Sequence, residues 1–294
     1  MRPKIGIVGL PNVGKSTFLN LMTEKNIAQT APWPFTTIDP NRGISFYDKD
    51  IFYEVAKKFN SKRIVFAEFE FIDVAGLIKD SWQGKGLGNQ FLSHLKEADI
   101  LVEIVRTFTG NVPHVDETIN PLRDHQIIEK ELKMSDLKIC QNNKKKEKTL
   151  EIIEKKINLN EKLDQKELEI AKKYGLFTCK EKLILANGDE KVDFADICFS
   201  FKDNFTKKIK IEILEKILEK LNLTYFVTAN ENETRINLIR KNANFSEAAE
   251  IVHSDFPKNL IKVQVHPLDD LNKKLIFGKN DKIIPESLYY FILK

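Results

Sequence analysis

An α/β domain with a mostly parallel sheet, interrupted by a helical insert and followed by a smaller α+β module, is the fold class that this sequence of 294 residues predicts. Three observations carry that expectation. First, an apolar run, Lys4-Ile5-Gly6-Ile7-Val8, is joined by the glycine-containing stretch Gly9-Leu10-Pro11-Asn12-Val13-Gly14-Lys15-Ser16 to a helix-forming run, Thr17-Phe18-Leu19-Asn20-Leu21-Met22. Second, 64–71 alternates and then becomes continuously apolar into Ile72-Asp73, while 101–105 and 182–186 read as strands of the core. Third, from residue 221 onward the order of elements changes to strand, strand, helix, strand, which suits a compact α+β module rather than an extension of the first sheet. The chain is longer than a typical single domain. The expected organisation is a nucleotide-binding domain over 1–120 and 177–220, an insert over 121–176, and a separate domain over 221–294.

The octapeptide ending in Lys15-Ser16 follows the pattern G-x-x-x-x-G-K-[ST] in a strand–loop–helix context, which is the phosphate-binding loop. Glycines let backbone N–H groups converge on phosphate oxygens, and the helix N-terminus adds favourable partial charge. Asn12, Val13, Gly14, Lys15, Ser16 and Thr17 are therefore the expected phosphate cradle. Lys15 should reach the β- and γ-phosphates, and the Ser16 hydroxyl is placed to ligate Mg²⁺.

Three prolines within 31–41 prevent regular structure, so this stretch is a loop. On such a loop a threonine senses the γ-phosphate through Mg²⁺, and Thr37, with Thr36 second, is the candidate. The run 64–72 ends in Asp73-Val74-Ala75-Gly76. Asp73 is expected to hold Mg²⁺ through water and the Gly76 N–H to approach the γ-phosphate. The next residue is Leu77, where many hydrolases of this type place a water-orienting glutamine, so help for the attacking water must come from elsewhere. Residues 84–89 form a glycine-rich loop, 90–99 read as a helix, and 101–105 as a core strand.

Helical spacing of apolar residues returns from about 121 to 176, broken by the polar run Gln141-Asn142-Asn143-Lys144-Lys145-Lys146, and predicts a helical hairpin. Its basic tip reads either as a contact to phosphate backbone or as a solvated turn. The strand at 182–186 runs into Asn187-Gly188-Asp189-Glu190, where a base-recognition motif is expected; Asn187 and Glu190 are the candidates for the base, and Ser200, in Ile197-Cys198-Phe199-Ser200, for a last base-contacting loop. In the C-terminal module, strands are expected at 224–228, 233–239, 260–265 and 289–293, with a short helix at 246–253 capped by Ser246.

Net charge is +4, from 47 basic against 43 acidic residues, which is too mild to argue for nucleic acid on its own. The sequence holds no apolar run of 18 residues, so no membrane span is expected, and Met1-Arg2-Pro3 leads directly into the first strand, leaving no room for a signal peptide. The three cysteines, Cys140, Cys179 and Cys198, show no metal-ligand spacing and fit a reducing, cytoplasmic compartment. The chain is expected to act as a monomer.

Together these motifs resemble the Obg-related YchF family of nucleotide hydrolases, also called Obg-like ATPases, and the resemblance covers nearly the whole chain. It rests on the phosphate loop, on Pro34-Phe35-Thr36-Thr37-Ile38-Asp39-Pro40-Asn41, on Asp73-Val74-Ala75-Gly76-Leu77, and on Gly86-Leu87-Gly88-Asn89-Gln90-Phe91-Leu92. Asn187-x-x-Glu190 is similar to the family's N-x-x-E, which implies that ATP is accepted and often preferred over GTP. His114, in Asn111-Val112-Pro113-His114-Val115 after the Val-Arg-x-Phe strand end, matches the histidine thought to replace the missing glutamine. From the residues alone it reads either as a group that orients water or as a surface-loop histidine. The C-terminal module resembles the family's TGS domain, a β-grasp fold, most clearly in Ala249-Glu250-Ile251-Val252-His253-Ser254-Asp255-Phe256. The resemblance implies an Mg²⁺-dependent ATPase that works as a switch at the ribosome, facing ribosomal RNA, and with neither a glutamine nor an arginine finger visible in cis its turnover is expected to be slow. The alternatives are a GTP-preferring Obg-type GTPase and a translation-associated binding module with little hydrolysis. The chain departs from the family in a shorter helical insert, in Cys198-Phe199-Ser200, and in the middle of the C-terminal module at 229–244.

Overall fold

The computed structural model describes residues 1–23, 42–73, 95–109, 118–188 and 190–294. In chain order, the described elements begin with β1 (Lys4–Val8), α1 (Lys15–Met22), β2 (Arg42–Tyr47), α2 (Asp50–Lys58), β3 (Ile64–Val65), β4 (Ala67–Asp73) and β5 (Ile100–Arg106). Helices α3 (Pro121–Asn143), α4 (Thr149–Leu159) and α5 (Gln165–Tyr174) follow, then β6 (Glu181–Asn187), β7 (Ile197–Phe199) and α6 (Lys207–Lys220). The C-terminal part comprises β8 (Leu223–Ala229), β9 (Thr234–Arg240), α7 (Phe245–Val252), α8 (Phe256–Asn259), β10 (Leu260–Pro267), β11 (Leu275–Phe277) and β12 (Ser287–Leu293). Contacts divide the chain into two units, Pro3–Ser45 with Glu70–Lys210, and Met1–Arg2 with Phe46–Phe69 and Ile211–Lys294.

The first unit is built on a sheet of order β2-β4-β1-β5-β6-β7. The β1/β4, β1/β5, β5/β6 and β6/β7 pairs are parallel, as the continuous apolar runs predict. β5 and β6 stay in register over seven pairs, from Ile100↔Glu181 to Arg106↔Asn187. Ile5, Ile7, Phe71, Ile100, Val102, Leu183 and Leu185 are fully buried and form the strand core. Strand order runs outward from β1 in both directions, which opens a crevice beyond its carboxyl end, and the phosphate-loop octapeptide starts there.

In the insert, α3 and α4 meet across the exposed basic tip at Lys144, Lys145 and Lys146 and form the expected hairpin. A third helix, α5, joins them, which the hairpin expectation did not include. Two local signals create it: Asn160 takes the left-handed conformation and ends α4 at φ 56°, and Asp164 and Glu167 make a capping box that starts α5. Leu137, Cys140, Leu150, Ile153, Ile157 and Ala171 bury their side chains together between the three helices. Asp136 of α3 ties the insert to the approach of β6: Oδ1 accepts from the Phe177 N–H at 2.8 Å, and Oδ2 from the Thr178 N–H at 2.8 Å and the Thr178 hydroxyl at 2.6 Å.

The second unit carries a sheet of order β11-β10-β12-β8-β9-β3. β8 and β9 are antiparallel, β12 returns antiparallel to β10, and β12 lies parallel to β8. A helix packed on a sheet whose first and last long strands are parallel neighbours is the β-grasp arrangement. Its core is aromatic: Phe226 stacks on Tyr289 at 4.6 Å, and Phe245 of α7 meets the Tyr289 ring edge-on at 5.2 Å. The helix at 246–253 is corrected to α7, and its cap from Ser246 to Asn244, which exchanges hydrogen bonds with Glu247 in a second capping box. Residues 46–69, left with the nucleotide-binding domain by sequence, fold with this sheet: β3 pairs parallel with β9, Ile64 opposite Thr234, and Phe52 of α2 packs edge-on against Tyr225 at 5.4 Å. Among the described residues no helix is long and apolar enough to cross a membrane.

Candidate functional site

The loop between β1 and α1 is shaped by three residues with positive φ, Gly9 at 154°, Asn12 at 63° and Gly14 at 107°. Asparagine tolerates that region, and at Gly14 space as well as conformation demands glycine. A Cβ there would stand 2.6 Å from Asn187 Nδ2 and 3.3 Å from the Phe201 ring. Gly14 is also the N-cap of α1, and lacking a side chain it leaves the N–H groups of the first turn free for an anion. The Val13 side chain is buried and anchors the loop from behind.

Lys15 opens α1 and is buried, its ammonium donating to the carbonyls of Leu10 at 2.7 Å and Gly9 at 3.1 Å. Burial pulls its pKa down to about 8, against the opposing pull of Asp73. Next to it, the Ser16 hydroxyl donates to Asp73 Oδ2 at 2.7 Å. The other Asp73 oxygen, Oδ1, is buried and accepts no hydrogen bond from the described residues. A buried carboxylate oxygen left without a partner is costly unless something else engages it. Mg²⁺ seeks hard oxygen donors, and the Ser16 hydroxyl with the unengaged Asp73 oxygen offers such donors side by side, so the residues present fit this ion.

Across the cleft, the Asn187 side chain is a brace. Its Nδ2 donates to the Val13 carbonyl at 2.9 Å and its Oδ1 accepts from the Phe201 N–H at 3.1 Å, binding the phosphate loop to the segment after β7. The Asn187 carbonyl accepts from the N–H groups of Thr107 and Phe108 at 2.9 and 3.1 Å, which fixes the end of β5 as well. Ser200 donates its hydroxyl to Asp203 Oδ2 at 2.8 Å. Phe108 lines the cleft, with the Arg106 guanidinium 4.2 Å over its ring and Arg106 Nε donating to its carbonyl at 3.0 Å. The Val-Arg-x-Phe spacing marked this strand end in the sequence, but nothing in it shows that the phenyl ring faces the cleft.

Asn12, Gly14, Lys15, Ser16, Thr17, Asp73, Asn187, Glu190 and Ser200 thus line one cleft of about 950 Å³ in the first unit. Lys202 and Asp203, not foreseen from sequence, line it too. Thr37, Gly76 and His114, with the glycine-rich loop at 84–89 and most of the expected helix at 90–99, lie outside the described residues.

A family model described as 50S ribosome-binding GTPase matches residues 4–138, and the YchF GTPase C-terminal model, described as a protein of unknown function, matches 223–283. The chain is 32% identical over 327 residues to the ribosome-binding ATPase YchF of Mycoplasma genitalium, covering 90% of this chain and 89% of that protein. It is 30% identical to the Obg-like ATPase 1 of Oryza sativa, over 92% of this chain and 84% of the relative. Among solved structures, the YchF GTPase of Schizosaccharomyces pombe superposes with a TM-score of 0.77 at 25% identity, covering 99% of this chain and 98% of that one.

Proposed function

Because the chain belongs to the YchF and Obg-like ATPase family, we propose that it is a ribosome-associated, Mg²⁺-dependent P-loop nucleotide hydrolase that favours ATP over GTP and works in the cytoplasm. The observation that carries this reading is the cleft itself: the buried ammonium of Lys15 beside a Ser16–Asp73 pair whose Oδ1 has no partner among the described residues. Lys15 holds the negative charge of the β- and γ-phosphates, and exchanges its two carbonyl contacts for phosphate oxygens at little cost because its charge is already desolvated. The backbone of Asn12, Val13 and Gly14 and the first turn of α1, with Ser16 and Thr17, enclose the phosphate chain. Ser16, Thr37 and Asp73 would hold the Mg²⁺, which would supply positive charge to offset that of the phosphates. Gly76 senses the γ-phosphate and His114 orients or deprotonates the attacking water, Leu77 being unable to do so.

At the other end of the cleft, Glu190 and Ser200 meet the base, while Asn187 contributes by holding the phosphate loop against the base-side segment. Phe108, stiffened by Arg106, offers a flat apolar face for the base to stack on. Support for ATP comes from Glu190 in the position of an aspartate and from the ATPase names of the relatives. The C-terminal β-grasp unit is read as a TGS-like domain that, with the basic tip of the insert, faces ribosomal RNA. Competition between ATP and GTP for a fluorescent nucleotide analogue tests the base assignment, with ATP expected to displace the probe at the lower concentration. A clear GTP preference reverses the roles given to Glu190 and Ser200. Phosphate release measured with ribosomes and Mg²⁺ tests the enzyme itself; if none is found, the protein is a binding module whose nucleotide is structural.

A further inference from the structure

Away from the nucleotide cleft, the first unit carries a second group of polar side chains. His125 and Glu129 stand one turn apart on α3, the spacing that places two side chains on one helix face. α3 packs against β5, whose Glu103 is fully buried. His125 Nδ1 lies 3.0 Å from Glu103 Oε1, and one ligand atom from each of Glu103, His125 and Glu129 lies within 4.8 Å of the other two. Phe194 stacks on the imidazole at 5.1 Å and fixes the plane of the ring. Lys182, from β6, places its ammonium on Glu129.

The ion pairs leave one group unanswered. Glu103 Oε2 is buried and has no hydrogen-bond partner among the described residues. Lys182 engages Glu129 and His125 engages Oε1, so two carboxylates face one fixed positive charge and an imidazole that is a cation only when protonated. A carboxylate oxygen left without a partner at this depth is costly, and a bound cation would remove that cost.

We infer that Glu103, His125 and Glu129 form a binding site for a divalent transition metal of the zinc, cobalt or manganese kind. The donor set selects the ion: an imidazole nitrogen with two carboxylates suits these metals, whereas Mg²⁺ prefers oxygen donors and retains its waters. The ligands come from a strand and from the first turns of the insert helix, so the ion would clasp α3 onto β5, which ends at Arg106. Lys182 competes for Glu129. Burial raises the pKa of the Glu103 carboxyl, and the bond to Glu103 raises that of His125. Glu103 from β5, His125 and Glu129 from α3 and Lys182 from β6 are the ionisable groups that face one another here.

The test is Co²⁺ titrated into the full chain without nucleotide or Mg²⁺, followed by its visible absorption and by calorimetry. One equivalent is expected to bind with nitrogen and oxygen ligation and to be displaced by Zn²⁺. His125→Ala and Glu129→Gln should each weaken it about 10-fold or more. Lys182→Met should tighten it several-fold, which a simple ion-pair network does not predict. Glu129 is partly exposed, so Glu129→Gln reports even where His125→Ala compromises folding. Asp73→Asn should leave Co²⁺ binding unchanged. The inference is overturned if the unchanged protein binds no Co²⁺, if His125→Ala and Glu129→Gln bind it as well as the parent, if thiolate charge-transfer bands show cysteine ligation, or if Asp73→Asn abolishes it.

Discussion

Asp73 and Asp136 are both buried carboxylates of the same unit, and the fold treats them in opposite ways. Asp136 is saturated: two backbone N–H groups and a hydroxyl converge on it, from the stretch that leads into β6. Asp73 is half-saturated among the described residues, with one oxygen on Ser16 and the other unengaged at the wall of the cleft. Burial alone therefore does not mark a functional acid. What separates the two is whether the chain has spent all the acceptor capacity of the group, and only the acid with capacity left over can bind something else.

The comparison breaks most sharply at Asp73→Asn, for which Mg²⁺-dependent phosphate release should fall about 10²- to 10³-fold, since a charge that organises the reacting phosphates is lost. Thermal unfolding should barely change, because an asparagine oxygen still accepts from Ser16. Asp136→Ala should do the reverse. It strands three donors, at about 1 kcal/mol or more each, and should lower unfolding free energy by about 3 kcal/mol with phosphate release per folded molecule intact. Equal effects of the two substitutions on stability would dissolve the distinction.

A smaller effect follows from titration of Asp136. Burial pushes its pKa up to about 6, against its three hydrogen bonds, so the folded state holds this proton more tightly than the unfolded chain does. The resulting stabilisation is fully present below about pH 4 and is lost as pH rises through about 6, a change of roughly 2–3 kcal/mol. Denaturant melts of the parent and Asp136→Asn should therefore show the parent losing ground across that window. A constant difference would mean that the carboxyl titrates normally. Smaller still, Phe108→Ala should weaken nucleotide binding about 10-fold through lost stacking, without changing the Mg²⁺ requirement, as equilibrium titration with a fluorescent analogue would read. Last, Asn244→Ala removes a cap of α7 and should cost about 1 kcal/mol in chemical denaturation, a saturated polar group at its most modest.

The parallel sheet, the phosphate loop and the strand ending in Asp73 were legible because each depends on local pattern: continuous apolar runs, glycine spacing, and a lone acid closing a buried strand. Features that depend on pairing at a distance were not. Residues 46–69 join the second sheet through a strand only two residues long, too short to leave any periodicity. The amide of Asn187 could be assigned to a base by motif, yet its partners, Val13 and Phe201, lie 174 and 14 residues away and show only in three dimensions. Other misses were readable in principle. Asp164-x-x-Glu167 and Asn244-x-x-Glu247 are both capping-box patterns, and in the second Asn244, not Ser246, is the cap. The unengaged oxygens of Asp73 and Glu103 have no signature in sequence, since an idle acceptor is a property of its surroundings.

β6 has a bearing on how this gene can drift. Lys182 and Asn187 lie five positions apart on it, so they project from opposite faces of the sheet, one toward Glu129 and the other toward the phosphate loop. Seven unbroken register pairs with β5 hold that phase. A single-residue insertion or deletion between them would turn one of the two side chains to the wrong face while leaving composition and hydrophobicity nearly intact. In a library scanning the coding sequence, β6 should accept many substitutions at its exposed start, Glu181, and reject frame-preserving indels between 182 and 187.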